Sequence, residues 1–243
     1  MVENLKKEYF NCSKCPVLVD YRSQVVFGSG SFESKVIFIG EAPGAKEDKN
    51  GIPFCGMSGK ILDSLLESAG FDRKEIFITN TILCRPPKNR NPAKDELKNC
   101  NLRLYKLIDL MKPKVIVTIG NFATKQIIGM GEIKKIRGQI FEKEVGGNCF
   151  KVIPVVHPAG YIYSGRNAEL FDLMKQDFKL IAKLIGVDGK KQKELSDYWF
   201  VIFRILKKRR KLIFKQLFLL LFLVAHTLRQ FSWFLLELSM GRC

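Results

Sequence analysis

No long hydrophobic run occurs in the 243 residues of the chain. The longest apolar stretch, Leu217–Ala225, has nine residues, against the about 20 that a spanning helix needs. A transmembrane segment there would have to tolerate Lys215, Gln216 and Arg229. The polar N-terminus, MVENLKKEYF, holds no secretory signal, so a reducing, cytoplasmic setting is expected. In that setting the seven cysteines argue for metal binding rather than disulfides. A second CxxC is missing, which weakens the case for a zinc ribbon. No internal repeat is visible, so the chain is not a repeat array. Acidic residues are in deficit, 24 against 41 basic, for a net charge of +17. Residues 1–186 hold 29 basic and 20 acidic side chains, and residues 187–243 hold 12 and 4. The first part is basic over a globular length, which suits a polyanionic partner or serves solubility alone.

What is present centres on Lys35–Gly59, KVIFIGEAPGAKEDKNGIPFCGMSG. Val36–Ile39 reads as one buried strand. Gly40-Glu41-Ala42-Pro43-Gly44 forces a turn at its carboxyl end, where open α/β sheets bind ligands. Ala45–Phe54 reads as a polar loop ending on one aromatic, and Ser58-Gly59 starts a helix. Such a turn also fits an ordinary strand-to-helix connection, and short glycine motifs alone decide little.

Around this stretch the pattern alternates. Residues 2–10 predict a short helix, and Asn11-Cys12-Ser13-Lys14-Cys15-Pro16 follows, with Pro16 expected to stop helix. Ile61, Leu62, Leu65 and Leu66 predict a helix ended by Gly70. Ile76–Thr79 is a second strand delivering Asn80. Thr81–Lys94 has three prolines and no regular structure, and carries Arg85, Lys88, Arg90 and Lys94. Asn91 as cap and Pro92 at the first position start a long helix striped by Leu97, Cys100, Leu104, Leu107, Ile108 and Met111. Val115–Ile119 is a third strand, followed by a helix near Phe122–Ile128. Gln139–Glu144 and Cys149–Val156 form a hairpin about Gly146-Gly147-Asn148. An amphipathic helix from about Glu169 to Leu184 and then Gly186 close the globular part. Alternating strands and helices imply a mostly parallel sheet.

Glu41, Asn80 and His157 each follow a predicted strand, so a parallel sheet places them on one edge with Phe54 near them. Phe54 offers a flat face to a planar ligand. Asn80 offers an acceptor and a donor side by side, matching the N3–H and O4 edge of uracil. A neutral His157 could stabilise negative charge on a leaving base. Glu41 and Glu47 could orient a water or a sugar. Taken singly, each residue reads as well as packing, a turn or a surface group; their convergence favours a pocket. Cys12, Cys15, Cys84 and Cys100 give C-x2-C, a long gap and C-x15-C. Four thiolates suit an iron–sulfur cluster or a structural zinc, and the single CxxC tilts towards a cluster. Cys55, Cys149 and Cys243 have no partner at useful spacing and read as structural or free.

These motifs together resemble family 4 uracil-DNA glycosylases, the [4Fe–4S] members of the uracil-DNA glycosylase superfamily. The resemblance rests on Gly40-Glu41-Ala42-Pro43-Gly44 with Glu47-Asp48, Pro53-Phe54, Asn80 before Cys84-Arg85-Pro86-Pro87, Asn89-Arg90 and His157-Pro158-Ala159. It spans about residues 3–185. A departure is Cys55-Gly56-Met57-Ser58, where the family more often has Val and then Ala. The resemblance implies a three-layer α/β/α sandwich with a four-stranded, mostly parallel central sheet. It implies excision of uracil from DNA with Glu41 and His157 as catalytic residues. Gly40, Glu47, Phe54, Asn80 and Asn89 would bind substrate, and Arg85, Lys88, Arg90 and Tyr161 would contact DNA. Cys12, Cys15, Cys84 and Cys100 would hold a [4Fe–4S] cluster. The partner is uracil-containing DNA, and a monomer is expected. A competing reading is a cluster-bearing nucleic-acid-binding module with little catalysis.

Two regions follow: a glycosylase domain at 1–186 and a basic, hydrophobic extension at 187–243, expected to be helical and outside the resemblance. Its KKRRK at 207–211 precedes an apolar segment. Three readings stand for it: a membrane-spanning segment, a basic amphipathic helix on a membrane or protein partner, or an appended segment with no selected function.

Overall fold

A computed structural model describes residues 1–187. The expectations for the C-terminal extension fall on 188–243, outside the described residues. The elements run α1 (Val2–Phe10), α2 (Pro16–Tyr21), β1 (Ser29–Gly30), β2 (Val36–Gly40), α3 (Ala45–Asn50) and α4 (Met57–Ser68). Next come β3 (Phe77–Asn80), α5 (Lys94–Met111), β4 (Val115–Ile119), α6 (Gly120–Ile128) and α7 (Ile133–Ile136). The last are β5 (Phe141–Val145), β6 (Asn148–Val155), α8 (Pro158–Tyr163) and α9 (Ala168–Ile185). Among the described residues no helix is long and apolar enough to cross a membrane.

The sheet has six strands in the order β1-β3-β2-β4-β6-β5. Its middle four, β3-β2-β4-β6, are parallel, as the alternating pattern predicts. Both edges are antiparallel additions. β5 is the first arm of the predicted hairpin, and β1 is a two-residue strand too short for any periodicity. β2 is buried along its whole length, because both faces of a parallel sheet are covered. Ile37 and Ile39 pack into the core beneath α1, α5 and α6, with Leu5, Leu104, Leu107, Ile108, Ala123 and Ile127. Val36 and Phe38 pack on the other face with Leu62, Leu65 and Leu66 of α4 and Met174, Phe178 and Ile181 of α9. The period-2 alternation of side chains thus builds two cores from one strand.

The structure corrects three local expectations. Ala45–Phe54 is not all loop, since Ala45–Asn50 forms α3. Glu47 and Asp48 lie in its first turn, where the helix dipole favours negative charge, and Gly51 ends it in the left-handed region at φ 70°. Pro16 begins helix α2 rather than stopping one, because the missing N–H costs nothing at the first helical position. The long helix α5 starts at Lys94, so Asn91 is not its cap. The Glu96 carboxylate instead reaches back to accept the Ala93 N–H at 2.7 Å.

Register sets the position of the site. Gly40 pairs with Asn80, Ile39 with Thr118, and Ile119 with Val155. The carboxyl ends of the four parallel strands therefore finish on one level, and β2 lies where the chain order reverses direction across the sheet. That is the place where such folds leave a crevice.

Candidate active site

A cleft of about 510 Å³ opens at this edge. Glu41, Gly44, Glu47, Phe54, Asn80, Asn89, Arg90 and His157 all line it. The predicted convergence of Glu41, Asn80 and His157 with Phe54 is therefore present. Ser58, Asn91 and Tyr163 also line it, and the sequence motifs assign a site role to none of the three.

Gly40 is where two side chains need room. A Cβ there would lie 2.7 Å from two ring carbons of Phe54 and would meet the Asn80 Oδ1 as well. The missing side chain lets the aromatic face and the amide come together over one strand end. Phe54 itself has φ 51°, a left-handed backbone that bulky residues seldom adopt. Arg73 holds it there, donating from Nη2 to the carbonyls of Pro53 at 2.8 Å and Phe54 at 3.0 Å while pairing with Asp63. Asn80 is almost fully buried as the last residue of β3. Its backbone carbonyl is taken by Arg103 at 2.9 Å. Its side-chain amide makes no hydrogen bond among the described residues and is free for a ligand.

His157 caps α8, and its Nδ1 accepts the Ala159 N–H at 3.1 Å. The lone pair on Nδ1 is therefore in use, and a neutral ring carries its proton on Nε2. Burial pushes the pKa down to about 4, so the imidazole is neutral at ordinary pH and can donate one N–H. The ring lies 5.8 Å from that of Phe54, centroid to centroid. Glu41 is half-buried, and burial raises its carboxyl above the usual value. Its side chain has no hydrogen-bond partner among the described residues. Glu47 is tied differently, with Oε1 accepting the Gly56 N–H at 2.8 Å ahead of α4. One of its oxygens is thus committed to fixing the loop that carries Phe54.

The loop between Cys84 and α5 forms the outer wall. Lys88 and Asn89 have φ 54° and 55°, left-handed backbone within the short turn Pro87–Asn89. Asn89 Oδ1 accepts from Arg85 Nε at 2.8 Å, and the Tyr21 hydroxyl accepts the Lys88 N–H at 3.2 Å. Arg85 stacks over the Tyr21 ring. Lys88 is exposed. Arg90 is committed to a two-point pair with Glu96 at 2.6 and 2.9 Å. Tyr161 is half-buried against Phe171, ring centroids 4.8 Å apart, and does not line the cleft. Tyr163, two residues on, lines the rim and is 88% exposed.

Cys12, Cys15, Cys84 and Cys100 all belong to one region of the core. Cys84 and Cys100 belong to the core beneath α5, and Cys12 and Cys15 pack against it. All four are free thiols, as are Cys55 and Cys149. Arg22 donates to Cys84 Sγ at 2.9 Å and to the Cys12 carbonyl at 2.7 Å, and Asn99 donates to Cys15 Sγ at 3.4 Å. Burial pushes the Cys84 thiol up to about 11, with Arg22 opposing, so a thiolate here calls for further positive charge. The two buried polar atoms without a partner among the described residues are Tyr9 Oη and Arg103 Nε. Tyr9, Cys84 and Cys100 are all charge neighbours of Arg103. Sulfur-rich surroundings with donors to spare fit a cluster whose sulfides accept hydrogen bonds. Among the described residues no group of three or more His, Cys, Asp or Glu is set to hold a single metal ion.

A family model of the uracil DNA glycosylase superfamily matches residues 27–179. The chain is 40% identical over 189 residues to a type-4 uracil-DNA glycosylase of Sulfurisphaera tokodaii, covering 75% of this chain and 84% of that protein. It is 36% identical over 202 residues to the type-4 uracil-DNA glycosylase of Archaeoglobus fulgidus, covering 81% and 98%. With the protein of that name from Thermotoga maritima it shares 34% over 191 residues, 78% and 97%.

Proposed function

The chain belongs to the uracil-DNA glycosylase superfamily and is a type-4 uracil-DNA glycosylase, and on that premise we propose how its residues excise uracil. The enzyme is a DNA repair hydrolase: it cleaves the N-glycosidic bond of uracil in DNA and leaves an abasic site. The target base must first leave the stack, at a cost of a few kcal/mol. Lys88 and Arg85 would hold phosphates, and Tyr163 would fill the space the base vacates. The sequence pattern places both Tyr161 and Tyr163 after His157 and leaves the wedge open between them; Tyr163 is exposed at the rim, while Tyr161 packs against Phe171, which favours the later residue.

In the cleft, Phe54 would stack on uracil while the Asn80 amide reads N3–H and O4. As the C–N bond lengthens, negative charge moves onto the base and positive charge onto the sugar. The neutral His157 would donate from Nε2 to the departing base; one such donor is typically worth about 2.7–4 kcal/mol. Glu41 would favour the sugar cation and hold the attacking water. Asn89 and the engaged carboxylate of Glu47 would bound the cleft. The observation that carries this reading is His157, whose Nδ1 is fixed as an acceptor, leaving one N–H to give.

We further propose that Cys12, Cys15, Cys84 and Cys100 hold a [4Fe–4S] cluster. It would supply fixed structure and charge, since hydrolysis needs no electron. Its ligands would pin both ends of the basic loop Arg85–Lys94. Residues 1–186 would act as the glycosylase domain, as a monomer in the cytoplasm, where free thiols persist. The C-terminal extension would add at most a weak membrane or protein contact.

Base release from oligonucleotides carrying uracil or cytosine tests the site. Asn80→Asp replaces the amide donor with an acceptor and is expected to lose most uracil excision and to gain slow cytosine release. His157→Ala should lose excision while still binding the oligonucleotide. Near-normal uracil release by both variants would remove these residues from the site.

A further inference from the structure

Arg103 is fully buried on the inner side of α5. Its position, three residues after Cys100 and within the apolar stripe, is the sequence signal that it is unusual. No carboxylate pairs with it among the described residues. A buried guanidinium without a counter-charge is costly, and burial pushes its pKa below the ordinary arginine value. Its neighbours must hold it.

Towards the cleft it is well held. Nη2 donates to the carbonyls of Asn80 at 2.9 Å and Thr81 at 3.1 Å, and Nη1 donates to Thr79 Oγ1 at 3.3 Å. These contacts cover the end of β3, where the uracil-reading side chain leaves the sheet. Towards the other side Nε has no partner, and neither does the nearby Tyr9 hydroxyl. Tyr9, Cys84 and Cys100 pack together in the core beneath α5, with Cys12 and Cys15 against them. One rigid guanidinium thus touches the strand end of the cleft and faces the four-cysteine site.

We propose that Arg103 is a positioning residue that couples the two sites: it is the counter-charge of the anionic cysteine-ligated cluster, and it holds the Asn80–Thr81 backbone so that the Asn80 amide faces the base. The assignment rests on the cluster reading given above. The cluster then acts on base recognition through Arg103 without touching substrate. Loss of the cluster leaves a buried cation unpaired beside Asn80 and loosens the residue that reads uracil.

The test uses the full chain as purified, with Arg103→Lys and Arg103→Met. Iron content, visible absorbance, cluster reduction potential, thermal midpoint, and kcat and KM for uracil release are measured together. Arg103→Lys keeps the charge and loses the planar fork. It is expected to retain iron, to shift the potential as the hydrogen bonding about the sulfurs changes, and to lose at least about tenfold in kcat. Arg103→Met is expected to lose iron more readily under oxidation and to be no more active than Arg103→Lys. A purely packing role predicts lost activity in proportion to unfolded protein, with the potential unmoved. Folded, iron-loaded variants with the wild-type potential and kcat overturn the assignment and leave the cluster reading intact. Iron-free, active wild-type protein overturns both. If neither variant folds, hydrogen exchange of the wild-type protein before and after oxidation of the cluster decides. Faster exchange at residues 78–84, with 115–119 unchanged, supports the coupling; uniform or absent change overturns it.

Discussion

One methyl group at position 40 is expected to disable the enzyme without unfolding it. Gly40→Ala places carbon 2.7 Å from the Phe54 ring and against the Asn80 amide, so one or both must move. Displacements of this size can cost about 10²-fold in rate, to be read as single-turnover uracil release with the thermal midpoint as control. Unchanged release would mean that the ring and amide do not need their present approach. Glu41 offers a second test, through pH. Burial raises its pKa above 4.5 in the folded protein, so folding favours the protonated form. That contribution to stability is present below about 4.5 and is lost as pH rises through the higher folded value. Glu41→Gln should therefore raise the thermal midpoint at pH 7 and leave it unchanged in acid, where Glu41 is protonated folded or unfolded. It should also lower excision at pH 7. Glu41 must be ionised to favour the sugar cation, so the acid limb of kcat/KM is expected to follow Glu41 and to shift in the variant. An acid limb unmoved by Glu41→Gln would assign it elsewhere.

At the scale of the element, the wall between Cys84 and α5 divides its cations between two tasks. Lys88 is exposed on a turn held by Tyr21, and Arg90 is held by Glu96. Lys88→Ala should reduce the salt slope of DNA binding by about one and leave stability nearly unchanged. Arg90→Ala should lower the thermal midpoint by several degrees, because it strands a buried Glu96 at the start of α5. Equal slopes for wild type and Lys88→Ala would take the turn out of the DNA interface. The short helix α8 divides its two tyrosines in the same way. Tyr163→Ala should lose far more excision from duplex than from single-stranded substrate, since only the duplex needs a wedge. Tyr161→Ala should chiefly cost stability, through its contact with Phe171. The reverse pattern would make Tyr161 the wedge.

For the whole molecule, the proposed cluster is expected to decide whether the loop wall holds. Purified protein should be brown and hold about four iron atoms per chain. Cys84→Ala should lose colour, solubility and excision together, because Cys84 sits at the root of the loop and within the core. One stoichiometric zinc in a colourless, active protein would refute the cluster. A chain ending at Gly186 should keep excision, since each motif of the site lies before it. A folded but inactive truncation would make the extension part of the working unit.

The sequence by itself determined the parallel core of the sheet, the residues that end its strands and the four cysteines. Those features are local: apolar runs, glycine and proline at strand ends, and thiol spacing are written in adjacent residues. Glu41, Asn80 and His157 could be placed together because parallel strands finish on one edge whatever their order. Tertiary structure decided the rest. The six-stranded width depends on β1, a two-residue pairing with nothing periodic in it. Helix α3 escaped notice because its stability comes from a carboxylate near a helix start and from Asp48 accepting the Ser23 N–H, a partner 25 residues away. Whether a cation stands exposed or pairs with a carboxylate is a matter of distance in space, which separated Lys88 from Arg90. Whether a tyrosine of α8 stands exposed or packs inward turned on Phe171, one helix further along the chain. Arg103 shows the limit best: its place on an apolar stripe is visible in the sequence, but only the fold brings its two ends to Asn80 and to the cysteines at once.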